Sequence, residues 1–171
     1  MADQMGMALQ LAGNVARMTW YSGVNWFLQR QSRQIATPAS FTPTRPVPDR
    51  DELLADARAL LMADAAAVRE GLYPPGHEEV ANPLEHLRRL RAMFQDLPEL
   101  VGRRKERDAT SVQPVVDEDL PDYFTQDFHF QTGGYLTEGS ARLYDVQVET
   151  LFYGAAAAMR RAGLRSIAQF M

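Results

Sequence analysis

The sequence predicts an all-α protein, an irregular helical bundle of about four main helices with a proline-rich connector and an aromatic, glycine-bearing loop. Three observations predict it. Apolar residues recur at three- and four-residue spacing through four long stretches, prolines and glycines punctuate the gaps, and no stretch alternates as a strand does. The 171 residues suit one domain, in which an apolar helix over 1–36 joins a helical, cap-like region over 49–171 across a linker over 37–48.

The first helix is expected from Asp3 to Ile35. Met7, Leu11, Val15, Met18, Ser22, Trp26 and Arg30 fall on one stripe, with Leu9, Ala12, Ala16 and Thr19 beside it. Arg17 is the single charge between Gln4 and Gln29, which is too few for an ordinary surface helix, so this helix must hide more than one side. Gly6, Gly13 and Gly23 each weaken it by up to about 1 kcal/mol relative to Ala, so tertiary contacts must hold it. Polar residues interrupt the apolar ones too often for a bilayer-spanning run of about 20 apolar residues. Trp20, Tyr21, Trp26 and Phe27 therefore read as a cluster packing on another helix or domain, with a membrane interface as the less favoured alternative.

Pro38, Pro43, Pro46 and Pro48 fix an extended connector. Asp49 is the expected N-cap of the second helix, and Asp51 and Glu52 suit the positive end of its dipole. Its apolar stripe is Leu53, Ala57, Leu60, Leu61, Ala65, Val68 and Leu72, and "GLYPPG" stops it. Asn82 and Pro83 open a third helix with Leu84, Leu87, Leu90, Phe94 and Leu97 as its stripe, which Pro98 ends or kinks. Arg103, Arg104, Lys105 and Arg107 read as a solvated helix end rather than a phosphate grip. Residues 109–136 are irregular, with a turn at Gly133-Gly134. A last long helix is expected from Thr137, its cap, to Ala162, with Ala141, Tyr144, Val148, Leu151, Phe152, Ala155 and Met159 inside and Arg160 and Arg161 suiting its C-terminal dipole. A short segment, "LRSIAQFM", follows it.

Composition removes several functions. A net charge of −4 gives no general basic field, so no nucleic-acid partner is expected. The absence of cysteine excludes disulfides, thiolate nucleophiles and Cys-ligated metal centres, and fits a cytoplasmic setting. His77, His86 and His129 lie in separate segments without metal-binding spacing, so no metal site is expected. Hydrolase elbows, phosphate-binding loops and dinucleotide-binding glycine patterns are all missing. The one stretch that invites a ligand is "FHFQTGGYL". Phe128, Phe130, Gln131 and Tyr135 form a candidate substrate-binding lip there, His129 is the candidate catalytic group, and Tyr144 and Glu149 project from the helix that follows. The same aromatics also suit a hydrophobic core.

The block "FHFQTGGYLTEGSARLYDVQVETLFYGAAAAMRR" resembles one that precedes the catalytic core in bacterial class I S-adenosylmethionine-dependent methyltransferases. The resemblance is carried by Tyr123, Phe124, Phe128, His129, Phe130, Gln131, Thr132, Gly134, Tyr135, Ser140, Ala141, Tyr144, Asp145, Gln147, Val148, Glu149, Leu151 and Phe152. "TWYSGVNWFLQRQSR" and "ELLADARALLMADAAAVREGLYPP" are similar to that family's N-terminal helices. Phe130 stands where relatives often have Trp, and Gly133 where they often have Asp. The relatives continue past a segment like "GLRSIAQFM" into a strand and the glycine-rich loop that binds the cofactor, which this sequence does not reach. What the resemblance implies is a helical substrate cap beside a methyltransferase site, with no S-adenosylmethionine expected to bind this chain alone. The implied partner is a methyltransferase core domain; homo-oligomerisation through apolar helix faces is the alternative.

Overall fold

The computed structural model describes residues 3–35, 42–76, 83–106, 137–168 and 170. Among the described residues there are five α-helices and no strand: α1 (Gln4–Ile35), α2 (Arg50–Arg69), α3 (Pro83–Glu106), α4 (Glu138–Leu151) and α5 (Ala156–Ala168). The chain divides into two compact units, one of Met1–Asn25, Ser40–Ala81 and Glu149–Met171, the other of Trp26–Ala39 and Asn82–Val148.

In the first unit α1 turns its polar side inward. Gly6, Gln10, Asn14, Tyr21 and Val24 are buried, whereas Val15 and Ser22 of the expected stripe are exposed and Met7, Leu11 and Met18 are only half-buried. The hydrophobic pattern misplaces this helix because buried charges on its neighbours need polar partners, and those partners set its rotation.

Helix α2 begins as expected. The Asp49 carboxylate accepts from the Glu52 backbone N–H at 2.9 Å, and the Glu52 carboxylate accepts from the Asp49 N–H at 2.9 Å, which closes a capping box. At its other end Gly71 takes φ 77°, Leu72 N–H donates to the Ala67 carbonyl at 3.0 Å and Gly71 N–H to Val68 at 2.9 Å, the bonds of a left-handed C-cap. Leu61, Ala65, Ala67 and Val68 are buried, while Leu53 and Leu72 remain exposed.

The second unit holds α3, which runs through Pro98 to Glu106. Pro98 removes one donor, that to the carbonyl four residues back at Phe94, yet the helix persists on both sides of it. Leu90, Met93 and Val101 are buried, Leu84 and Leu87 exposed. Phe94 meets the edge of Phe27 with ring centroids 5.2 Å apart and planes at 85°, a favourable aromatic geometry. In the same unit Ser140 N–H donates to Thr137 Oγ1 at 3.2 Å, which makes Thr137 the cap of α4.

The expected single helix from Thr137 to Ala162 is two helices. The chain breaks over 152–155, where Tyr153 has φ 53° and Gly154 φ 82°. A Cβ on Gly154 would lie 2.6 Å from the Arg17 carbonyl oxygen and 3.0 Å from Met18 Cα, so only glycine lets this turn press against the α1 backbone. The inward residues of this region also differ from the apolar stripe: Ser140, Val146, Glu149, Thr150 and Ala155–Ala158 are buried, while Tyr144, Leu151, Phe152 and Met159 are exposed.

Two glycines with positive φ should therefore respond differently. Gly154→Ala combines backbone strain with a clash and is expected to destabilise by at least about 2 kcal/mol, whereas Gly71→Ala, facing open space, costs about 1 kcal/mol from strain alone. Urea unfolding midpoints of the two variants check this, and equal losses would contradict it.

Candidate functional site

Among the described residues the densest polar constellation is built from α1, α2, α5 and the segment after α2, all within the first unit. Asp64 lies in the C-terminal half of α2 with its side chain 1% exposed. Arg161 of α5 grips it side-on, Nε to Oδ1 at 2.8 Å and a terminal nitrogen to Oδ2 at 2.9 Å. Gln10 and Asn14, one turn apart on α1, donate to Oδ2 at 2.7 and 2.8 Å. The Tyr73 hydroxyl donates to Oδ1 at 2.9 Å. Gln10 also accepts from Gly76 N–H at 2.7 Å, tying the segment after α2 to α1.

Burial alone would raise the Asp64 pKa, but the hydrogen bonds from Arg161, Asn14, Gln10 and Tyr73 outweigh it and hold the carboxyl below its ordinary value of 3.8. Burial, together with the hydrogen bond to this carboxylate and its charge, pushes the Tyr73 phenol up to about 12. Five donors occupy the acceptor positions of one carboxylate, so Asp64 has no capacity left for a substrate proton. The constellation clamps helices; it is not a base.

A second buried carboxylate belongs to Glu149, near the end of α4. Its side chain is 1% exposed, with Arg17 Nε 3.3 Å from Oε2 and an Arg160 terminal nitrogen 3.4 Å from Oε1. The Arg160 contact is a hydrogen bond; the Arg17 contact has the distance of an ion pair without hydrogen-bond alignment. Asn25 donates to the Thr150 carbonyl at 3.0 Å, one residue further on.

Of the sequence-predicted site residues, Phe128, His129, Phe130, Gln131 and Tyr135 lie outside the described residues, as does His77. Glu149 is the buried ion-pair partner of Arg17 and Arg160. Tyr144 is exposed on α4, in the second unit. Sequence reasoning missed Asp64, Gln10, Asn14, Tyr73 and Arg161. The available signal was polar Gln10 and Asn14 one turn apart on an otherwise apolar helix, followed by Arg17 about one turn later. Among the described residues no three His, Cys, Asp or Glu side chains group as a metal site, and no helix is long and apolar enough to cross a membrane.

Comparison with known protein families, characterised proteins and solved structures finds no match to this chain.

Two outcomes follow for the clamp. Asp64→Ala strips five donors of their shared acceptor, an expected loss of about 3–5 kcal/mol in urea unfolding at neutral pH. Because the folded-state pKa of Asp64 is depressed, its stabilisation is complete above 3.8 and is lost as pH falls through the lower folded value. Tyr73 has the opposite sign: stability is complete below 10.0 and falls as pH rises towards 12. Unfolding measured from pH 2 to 12 should show both declines, and Tyr73→Phe should flatten the alkaline one.

Proposed function

We propose that this chain is the N-terminal helical, substrate-capping portion of an S-adenosylmethionine-dependent methyltransferase and is not catalytic by itself. The observation that carries the reading is the outer side of α5. Ala156–Ala158 are buried, and Arg161 and Arg165 turn to α2, where Arg165 pairs with Glu70 at 3.0 Å. Leu164 and Ile167, three residues apart on another side, are 47% and 58% exposed, and Phe170 is 92% exposed. Three large apolar side chains left in water beside a charge-pinned side are what a following or partner domain would cover.

In this reading the aromatic and glycine-bearing loop encloses the substrate. Phe128, Phe130, Gln131 and Tyr135 form its lip, His129 contacts the substrate or handles a proton, and Tyr144 flanks it. Transfer of the sulfonium methyl by in-line displacement then rests on the cofactor held by a core, with the cap supplying orientation and exclusion of water. A cytoplasmic setting is supported by the lack of cysteine. A stand-alone helical interaction module is favoured by a different observation, the uncharged outer side of α1.

Calorimetric titration with S-adenosylhomocysteine should give no saturable heat with this chain alone. Added in trans to a relative's methyltransferase core lacking its own N-terminal helices, the chain should raise methyl-transfer activity. Leu164→Glu with Ile167→Glu should abolish that gain. Saturable one-to-one binding by the chain alone, or a core indifferent to it, overturns the proposal.

A further inference from the structure

The break between α4 and α5 is short and poorly satisfied. Tyr153 takes φ 53°, a conformation that L side chains resist, and Gly154 follows it at φ 82°. Ala155, whose side chain cannot cap, precedes the first turn of α5, in which Ala156, Ala157 and Ala158 are buried. Met159 N–H donates to the Ala155 carbonyl at 2.9 Å, but among the described residues the N–H groups of Ala156, Ala157 and Ala158 meet no acceptor. Buried donors left in this way weaken a fold.

One continuous helix would remove both defects. With regular dihedrals the N–H groups of Ala156, Ala157 and Ala158 reach the carbonyls of Phe152, Tyr153 and Gly154, and the four residues from Ala155 to Ala158 are all of the strongest helix-forming type. The apolar spacing also runs without interruption from Ala141 to Met159. Local preference thus favours fusion of α4 and α5. What holds them apart is tertiary: Arg160 reaches Glu149, Arg161 reaches Asp64 and Arg165 reaches Glu70. A fused helix carries α5 away from these carboxylates, so a single chain has either the regular backbone or the ion pairs.

We propose that two copies of the chain obtain both by exchanging α5: in each copy α4 and α5 fuse into one helix, and α5 of one copy docks on α1 and α2 of the other. This inference does not depend on the methyltransferase reading. The fold itself names the occupant, because the exchanged helix re-forms the contacts of the closed chain, with Asp64 and Asn14 receiving Arg161 of the second copy and Glu70 receiving its Arg165. No new complementary surface is required. Only the segment over 152–155 changes conformation, and its change relieves Tyr153 and supplies the three donors with acceptors. A short connection under strain is the feature that invites such an exchange. Since α5 must leave its carboxylates before it can be exchanged, the dimer forms during refolding at high concentration and persists when diluted.

The test refolds the full chain from urea at about 100 μM, dilutes it and measures mass by size exclusion with light scattering. A dimer that survives dilution is expected beside the monomer. Gly154→Ala clashes with the Arg17 carbonyl in the closed turn but suits a helix, so the ratio of dimer to monomer should rise at least about tenfold. Ala156→Pro should lower it at least about tenfold, because proline suits the first position of α5 and breaks a fused helix. Exchange itself is read with two single-cysteine chains, Glu70→Cys and Arg165→Cys, refolded together and treated with a short bismaleimide. These two side chains meet across α2 and α5, and the sequence has no cysteine of its own. Linked chains are expected from this pair, and none from Asp51→Cys refolded with Arg165→Cys. A monomer throughout, a ratio that both hinge variants leave unchanged, or equal linking of the two pairs overturns the proposal.

Discussion

A carboxylate withdrawn from water has to be matched by donors or it destabilises the fold by several kcal/mol, and Asp64 is matched by five. Its partners come from α1, α5 and the segment after α2. Each must arrive with the right rotation as well as the right distance, because the Arg161 pair is bidentate and the Gln10 and Asn14 amides converge on a single oxygen. Apolar packing fixes how close helices come but tolerates small rotations; a saturated carboxylate does not. The rotation of α1 is thus a consequence of Asp64.

Glu149 repeats the device at lower density. Arg17 reaches it from α1 and Arg160 from the start of α5, so one acidic side chain joins both sides of the break over 152–155 to the first helix. The break is needed for that geometry. An unbroken helix from Thr137 to Ala162 would carry residues 149 and 160 about three turns apart along one axis, beyond the reach of a guanidinium. Tyr153 and Gly154, both with positive φ, fold α5 back, and the contact of Gly154 with the Arg17 carbonyl seats the turn beside the same arginine that pairs with Glu149.

The all-helical class, the extent of α1, Asp49 and Thr137 as N-caps and the arrest of α2 at Gly71 are legible in the sequence because each depends on neighbours within a few residues. What was not legible depends on partners far along the chain. Leu84 and Leu87 lie on the predicted stripe of α3, yet they are exposed while Leu90 and Met93 are buried, since periodicity names a side without saying what will cover it. Of the two outcomes expected at Pro98, an end or a kink, the helix does not end there, because a single missing donor leaves the bonds on both sides intact. Arg160 and Arg161 were assigned to the dipole of a helix end from local position, whereas each closes an ion pair with a buried carboxylate. Asp64 carries little local sign of its role: it sits among alanines, and apart from Tyr73, nine residues on, its partners Gln10, Asn14 and Arg161 lie between 50 and 97 residues away.

The two carboxylates also decide what α1 shows to water. A helix has one circumference, and Gln10, Asn14 and Arg17 occupy the inward part of it. The apolar residues that would ordinarily form a core stripe are then displaced outwards, so Met5 and Leu9 face solvent at 71% and 60% exposure. Burying polar residues against a charge and exposing apolar ones both weaken an isolated fold relative to the reverse arrangement. Such an inverted helix is stable only because the clamp saturates the polar side, and covering its outer side would recover hydrophobic free energy that the single chain forgoes. The ion pairs inside the first unit and the uncharged strip outside it are in this sense one feature of the sequence, seen from the two sides of α1.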